Sequence, residues 1–202
     1  MSLCRVCNHH HEDGVKCTIC GHIGKSKVFQ FLKNNRPINQ LRFVSFCVDV
    51  NDSPSKGNWS LARLVRERNF GKATIGLFDS HDHSTTCNHA LTFVGDAPVA
   101  AARWSWSVDN GVEVAVIDKL SVIDIRRRRT YGTYILSNII EDIKAKMAVE
   151  GRTLYALVAN VAHDQLHPAW KLFVKFGFQP MGEPFAVPSS THLHVKMVLL
   201  HS

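Results

Sequence analysis

The sequence lacks a long apolar segment, since no run reaches the roughly eighteen residues that a membrane-spanning helix requires. Its first residues also lack the apolar core of a secretory signal peptide. We therefore expect an intracellular protein, cytoplasmic or nuclear, that does not enter a membrane. Thiols stay reduced in that environment, so closely spaced cysteines are better interpreted as metal ligands than as disulfides.

Acidic residues are also comparatively few. The 202 residues include 17 Asp and Glu against 24 Lys and Arg, which gives a formal net charge of +7 and a pI of about 9.2. This excess favours anionic partners, among them nucleic acid and acidic protein surfaces. A hydrophobic fraction of 45% at this length suits one main domain with a small appendage.

The first 24 residues carry a four-cysteine pattern. Two Cys-x2-Cys pairs, separated by nine residues, can deliver four thiolates to one zinc ion: Cys4, Cys7, Cys17 and Cys20. Two disulfides in a secreted fragment are the alternative, which the missing signal peptide disfavours. A closed site of four thiolates leaves no open position, so the zinc should stabilise folding rather than catalyse. Such a module could also contact a protein or a nucleic acid.

A strand, a basic turn and a helix are predicted from Asp118 to Gly151. Apolar residues recur at helical spacing on one side of the helix, and Gly151 supplies its end; these residues are Ile135, Leu136, Ile139, Ile140, Ile143 and Met147. The first turn of a helix has backbone N–H groups without partners and a positive potential, which suits phosphate. Four arginines, residues 126–129, precede it. The alternatives for this run are a solvated loop, a nuclear-localisation patch or a nucleic-acid contact.

Composition and turn signals predict most other elements. We expect a strand at Arg42–Val50, a turn-rich stretch with Pro54 and Gly57, and then a helix at Leu61–Asn69. Ser60 is the predicted cap of that helix and Gly71 its end. Further strands are predicted at Leu91–Val94, Val99–Val108, Val112–Val122, Thr153–Ala159, Phe178–Met181 and His192–Leu200, with a hairpin turn at Asp109–Gly111 and a helix from Pro168 to Gly177.

A second group of metal-binding residue types lies in the middle of the chain: His81, His83, Cys87 and His89. Their spacing fits no strong metal site, because the stretch is predicted to change from loop to strand within the group. Loop polarity or the lining of a substrate pocket is the favoured interpretation.

Two blocks resemble a known family. Val122 to Gly132 is similar to the acetyl-CoA-binding segment of GNAT N-acetyltransferases, Val-x-Pro-x-x-Arg-Gly-x-Gly-x-Gly, and Lys171 to Phe178 resembles their LYEKLGF signature. The match is best with the ElaA-like branch and covers roughly residues 40 to 200. The resemblance implies an α/β (α+β) fold with a mixed twisted sheet flanked by helices. Together with the cysteine pattern it divides the chain into a zinc module (1–24), a connector (25–40) and a GNAT domain (41–202).

The resemblance also implies which residues bind acetyl-CoA. In this family two strands separate where the pantetheine arm enters, and the turn after the first strand binds the pyrophosphate. The implied contacts are Leu120, Ser121, Val122, Arg127, Arg128, Arg129, Thr130, Tyr131, Gly132, Thr133, Asn160 and Phe173. Arg128 and Thr130 stand where the family usually has glycine. We expect the amide cradle to survive provided that both keep φ below zero.

Catalysis requires a base for the amine and a proton for the leaving thiolate. The resemblance makes Asp118 the first candidate base, directly or through water, although an ion pair with Lys119 or another cation would be structural. Glu113 is a second candidate, and His192 and His194 are weaker ones. Many relatives have tyrosine where this chain has Phe173, which cannot donate a proton, so Tyr155 is an alternative donor.

Two functions therefore compete. The first is an acetyl-CoA-dependent N-acetyltransferase that acetylates a primary amine of a small molecule or protein by direct attack in a ternary complex. The second is a non-catalytic GNAT-fold module that binds CoA or a partner and uses its zinc ribbon for docking. A nucleic-acid reader is a weaker variant, since no aromatic residues interleave with the arginine run.

Overall fold

The computed structural model describes residues 2–3, 10–11, 41–49, 51–71, 77–123, 130–187, 190 and 192–200. The strands are β1 (Ser2–Leu3), β2 (His10–His11), β3 (Leu41–Phe46), β4 (Cys87–Val94), β5 (Ala97–Asp109), β6 (Val112–Val122), β7 (Ala156–Ala162), β8 (Gln179–Ala186) and β9 (Leu193–Leu200). The helices are α1 (Ser53–Phe70), a short 3-10 helix (Ser80–His83), α2 (Tyr131–Glu150) and α3 (Pro168–Lys175).

A seven-stranded sheet in the order β3-β4-β5-β6-β7-β9-β8 forms the centre of the fold. Its ladders are antiparallel except for β6 and β7, which are parallel and connected through α2. The turn between β5 and β6 has Asn110 and Gly111 at φ values of 51° and 81°, as a tight hairpin requires. The predicted mixed sheet, parallel crossover and hairpin are thus confirmed. β1 and β2 form a separate two-stranded sheet.

Helices cover both faces of the sheet. On one face α2 buries the six residues predicted from their spacing, and α3 packs into the same core. On the other face Ala62 and Val65 of α1 pack against Leu91, Phe93 and Ala101. Gly151 ends α2 at a φ of 64°, in the left-handed conformation expected of a helix C-terminus.

The predicted start of α1 was wrong. The helix begins at Ser53, and its cap is Asp52, whose carboxylate accepts a hydrogen bond of 2.8 Å from the backbone N–H of Ser55. Pro54 lies in the first turn, where a missing N–H costs nothing, so the turn-like composition there is the first turn of a helix. Gly71 ends the helix at a φ of 85°, as predicted.

Other boundaries differ less. The strand predicted at Arg42–Val50 is limited to Leu41–Phe46, whereas β8 continues to Ala186 instead of ending at Met181. Among the described residues, no helix combines the length and the apolarity that crossing a membrane requires.

Candidate functional site

The parallel strands β6 and β7 pair over only part of their length. Three residue pairs join them: Val114 with Ala156, Ala115 with Leu157 and Val116 with Val158. β6 then continues to residue 122 and β7 to residue 162 without further mutual pairs among the described residues. This early end of the ladder agrees with the strand separation that the family resemblance implies.

A β-bulge in β6 lies at the point where the strands separate. Ala101 pairs with Ser121 and Arg103 with Asp118, so Lys119 and Leu120 together stand opposite one residue of β5. Lys119 has a φ of 52°, in the left-handed region. A bulge bends its strand and increases the local twist. This bend accounts for the departure of β6 from β7, and it places the predicted cofactor residues Leu120, Ser121 and Val122 on the diverging branch.

The N-terminus of α2 lies next to the end of that branch. A Cβ atom added to Gly132 would come within 3.7 Å of Val122 Cγ2 and 3.3 Å of Leu172 Cδ2, so glycine permits a close approach of strand and helix. Tyr131, Gly132 and Thr133 form the first turn, whose N–H groups have no intrahelical acceptors. Arg127, Arg128 and Arg129 lie outside the described residues.

Thr130, the residue before α2, has a φ of 65°. The condition set for the amide cradle, a φ below zero, is therefore not met at Thr130. Thr130 adopts the left-handed conformation that glycine takes at low cost, and a β-branched residue is strained there. Its side chain makes no capping hydrogen bond to the helix, whereas its carbonyl oxygen accepts a hydrogen bond of 2.8 Å from the backbone N–H of Tyr134.

The other two predicted cofactor residues lie on β7 and α3. Asn160 is exposed and follows Val158, the last residue of β7 that pairs with β6. Phe173 is buried, and its ring meets that of Phe178 edge-on at 5.0 Å. It belongs to the core beneath α2 and α3.

Asp118 lies on β6 immediately before the bulge and is bound by an arginine. Its two carboxylate oxygens accept hydrogen bonds from Arg103 Nε at 2.7 Å and Nη2 at 2.6 Å. Arg103 Nη1 also donates to Asp79 at 2.7 Å and to Asp82 at 3.0 Å. Asp118 therefore forms an ion pair, which was the structural alternative to a role as base, and its partner is Arg103.

The same network of charged side chains extends to α1. Asp82 accepts a hydrogen bond of 2.8 Å from Arg66 of α1, and both side chains are fully buried. Burial would raise the pKa of Asp82, but the charge and hydrogen bond of Arg66 outweigh it, so that pKa lies below its ordinary value. Burial costs a lone charge several kcal/mol, which explains why each charge here has a partner.

His89 is held as a neutral ring. Its Nε2 lies 2.9 Å from the carbonyl oxygen of Asp82, and its Nδ1 lies 2.9 Å from Arg66 Nη2. Because arginine can only donate, Nδ1 must accept and Nε2 must carry the proton. Burial, followed by the charge of Arg66, lowers the pKa of His89 to about 4.

Asp82, Cys87 and His89 place one potential metal ligand each within 4.8 Å of one another. Two members of the predicted histidine and cysteine group, Cys87 and His89, thus come together. A cation there would lie beside the guanidinium groups of Arg66 and Arg103, and burial raises the pKa of the Cys87 thiol to about 12. The chemistry of this group suits a buried charge network better than a metal.

Glu113 and Tyr155 lie at the opposite end of β6 and β7. Both precede the first paired residues of their strands, and the backbone N–H of Tyr155 donates to the Glu113 carbonyl at 2.9 Å. The Glu113 carboxylate accepts a hydrogen bond of 2.6 Å from Arg152. The structure therefore does not bring these two candidates together with Asp118.

The charge network contains residues that the sequence analysis missed, namely Arg66, Asp79, Asp82 and Arg103. A signal for two of them was present. Arg103 follows a run of buried alanines in a strand, and Arg66 adjoins Val65 on the buried side of α1. A charge at such a position needs a buried partner, although the sequence does not identify which one.

No family model matches the sequence, and no curated protein matches it. Solved structures do match the fold. An acyl-CoA N-acyltransferase from Pseudomonas aeruginosa is 14% identical with a TM-score of 0.59, over 78% of this chain and 98% of that one. ElaA from Escherichia coli is 18% identical with a TM-score of 0.58, over 78% and 98%. A GNAT family acetyltransferase from Elizabethkingia anophelis, solved with acetyl-CoA bound, is 13% identical with a TM-score of 0.55, over 81% and 99%. The chain therefore has the GNAT acyltransferase fold.

The neutral state of His89 makes folding pH-dependent. Its pKa falls from 6.5 to about 4 on folding, so the unfolded chain binds more protons between these values. The free energy of unfolding should therefore fall as pH decreases through this window, by up to about 3 kcal/mol from this residue. Urea unfolding at pH 7 and pH 4.5 measures the change. His89→Gln should reduce it, whereas His83→Gln, at an exposed position, should not; equal changes in both variants would contradict the assignment.

The strain at Thr130 is also measurable. Thr130→Gly should raise the free energy of unfolding by about 1 kcal/mol, because glycine adopts a positive φ without a Cβ clash. Thr130→Ala is the matched control: it removes the hydroxyl but retains Cβ, so it should give no gain. Thermal unfolding of the two variants compares them, and equal stability would show that the turn is unstrained.

Proposed function

We propose that the chain is an acetyl-CoA-dependent N-acetyltransferase that transfers the acetyl group to a primary amine of a small molecule or protein. The observation that carries this proposal is the early end of the β6–β7 ladder, beside the N-terminus of α2. The acyltransferase fold supports it. Together they provide an opening between two strands and a set of N–H groups at one end of it.

In this proposal the pantetheine arm enters between β6 and β7. The backbone of Leu120 and Val122 would pair with its amides, and Ser121 lies between them on β6. The pyrophosphate would accept hydrogen bonds from the N–H groups that open α2, at Tyr131, Gly132 and Thr133. Arg127, Arg128 and Arg129 would add positive charge beside Thr130.

The thioester would then lie near Asp118 and Asn160, with direct attack by the amine in a ternary complex. Asp118 is the best placed of the three acid–base residues proposed from sequence, because it adjoins the bulge. Glu113 and Tyr155 remain weaker proposals at the far end of the strands. Phe173 would contact the pantetheine side of the core without donating a proton.

A non-catalytic module is the second candidate, and one observation favours it. Both oxygens of Asp118 are occupied by Arg103, so this carboxylate is not poised to accept a proton. Such a module would bind CoA or a partner without turnover. Saturable acetyl-CoA binding without thiol release from any primary amine would support the module and reject the enzyme.

Acetyl-CoA binding tests the proposed site. Isothermal titration should give saturable one-to-one binding to the wild type. Gly132→Val should weaken it at least tenfold, about 1.4 kcal/mol, since even one added Cβ comes within 3.3 Å of Leu172 and the larger side chain must displace the first turn of α2.

Gly151→Asn is the matched control at the other end of α2. An added Cβ meets no atom within 4 Å there, and asparagine tolerates the φ of 64°, so binding should match the wild type. Absence of heat with the wild type would reject the proposal. Equal affinity in both variants would place the phosphate elsewhere.

We also propose that the N-terminal 24 residues form a zinc ribbon with Cys4, Cys7, Cys17 and Cys20 as ligands. These cysteines lie outside the described residues. The antiparallel pairing of Leu3 with His10 supports the proposal, because it joins the two residues that flank the segment with the first cysteine pair in the sequence. The zinc would stabilise the fold of this module. The module could contact a protein or nucleic acid. An intracellular location, in the cytoplasm or nucleus, would keep the four thiols reduced.

Metal analysis tests the ribbon. The purified chain should contain about one zinc ion per molecule, since four thiolates complete one tetrahedral site. Cys4→Ser should lose most of it, whereas Cys47→Ser, which removes an exposed free thiol of the main domain, should retain it. A zinc-free wild type, or equal zinc in both variants, would contradict the assignment.

A further inference from the structure

Arg103 joins separate segments of the chain through one guanidinium group. It lies on β5 and donates to Asp118 on β6 from Nε at 2.7 Å and from Nη2 at 2.6 Å. Asp79, which precedes the 3-10 helix, accepts from Nη1 at 2.7 Å and from Nη2 at 3.2 Å. Asp82, within that helix, accepts from Nη1 at 3.0 Å. A guanidinium has five N–H donors in one rigid plane, and every donor of Arg103 has a carboxylate acceptor.

The surroundings of this guanidinium keep its partners in place. The Arg103 side chain is only 5% exposed, so solvent cannot compensate its charge if a carboxylate moves away. Burial lowers the pKa of Arg103, but the hydrogen bonds with Asp118 and Asp79 outweigh this effect, and the pKa lies above its ordinary value. Arg66 of α1 holds Asp82 from the other side at 2.8 Å. Arg103 therefore fixes the orientation of Asp118 relative to β5.

The bulge that follows Asp118 needs such a restraint. Lys119 has a φ of 52°, a conformation that is strained for a residue with a Cβ atom. Beyond it, the hydroxyl of the fully buried Ser121 donates to the Lys119 carbonyl oxygen at 2.9 Å. Strained residues persist only where their surroundings determine the backbone. Here Asp118, held by Arg103, lies before the strained residue, and Ser121 lies after it.

We propose that Arg103 is a positioning residue for the acetyl transfer, which holds Asp118, keeps β6 bulged and so fixes where the thioester lies between β6 and β7. This inference rests on the proposed function. The restraint acts at the thioester end of the opening, whereas the pyrophosphate would bind at the N-terminus of α2. Loss of the restraint should therefore slow the reaction more than it weakens cofactor binding.

Arg103→Lys tests the assignment, because lysine keeps the charge but lacks the planar fork of donors. Acetyl-CoA affinity is measured by calorimetry, and kcat by thiol release with benzylamine, spermidine and an alanine-headed peptide. For the amine that the wild type acetylates fastest, kcat should fall about tenfold or more, since a small displacement of the reacting atoms is enough for such a loss, while acetyl-CoA affinity stays within about threefold.

A second substitution separates positioning from general stability. In the Arg103→Lys background, Lys119→Gly should raise kcat about threefold or more, because glycine adopts a positive φ without a restraint. Lys119→Ala is the matched control, since it removes the same side chain but keeps Cβ, so kcat should stay low. Recovery in both double variants, or in neither, would overturn the assignment.

Arg42→Lys is the control for the substitution itself. Arg42 is exposed on the edge strand β3, with its guanidinium 4.0 Å from the centroid of the Phe93 ring, so kcat and affinity should match the wild type. Asp118→Asn provides a second variant should Arg103→Lys not fold. It should show the same fall in kcat with a kcat–pH profile of wild-type shape; a profile without its rising limb would make Asp118 the base and overturn the assignment.

The remaining outcomes separate this role from the proposed function. A folded Arg103→Lys with wild-type kcat would overturn the role of Arg103 and leave the proposed function intact, whether or not its acetyl-CoA affinity falls. A wild type that binds acetyl-CoA but releases no thiol with any of the amines would overturn both, as would a wild type that does not bind it.

Discussion

The early end of the β6–β7 ladder is the constraint on which the rest of the structure depends. Backbone N–H and C=O groups in a sheet normally pair with the neighbouring strand, and a pair of parallel strands that stops doing so needs a local cause. The cause here is the bulge at Lys119 and Leu120, which bends β6 while β5 keeps its pairing. The sheet thereby remains continuous on one side of β6 and opens on the other.

Two structural features lie next to that opening. α2 starts at the end of β6, and Gly132 lets its first turn approach Val122. Thr130 holds a left-handed conformation immediately before this turn. Strained residues persist where the surrounding packing determines the backbone. Thr130 is exposed, and its carbonyl oxygen accepts a hydrogen bond of 2.8 Å from the backbone N–H of Tyr134 in α2.

Much of this fold could be predicted from local patterns. The prediction of α2 used the helical spacing of its apolar residues and the glycine at its end. Both are local features, because they involve residues that are close together in the sequence. The start of α1 was missed because Pro54 and Gly57 are common in turns. Asp52 with a proline two residues later is equally a helix start, and the tertiary contact of Ser55, whose hydroxyl donates to the Cys47 carbonyl oxygen at 2.9 Å, favours the helix.

The site was predictable to a lesser extent, for the same physical reason. The turn before α2 follows from a contiguous motif. The charge network joins residues from separate segments of the chain: Arg66, Asp79 and Asp82, His89, and Arg103 with Asp118. A charge in an apolar strand indicates that a partner exists, but the partner is fixed by tertiary contacts.

The network also limits what Asp118 can do. A carboxylate bound through two oxygens by one guanidinium cannot take up a proton without losing one of those hydrogen bonds. The positive charge of the arginine would then be less fully neutralised. Arg103 is almost fully buried, so that loss would be costly. Asp118 is therefore better suited to fix the geometry of the bulge, through its bond across β5 and β6, than to exchange protons.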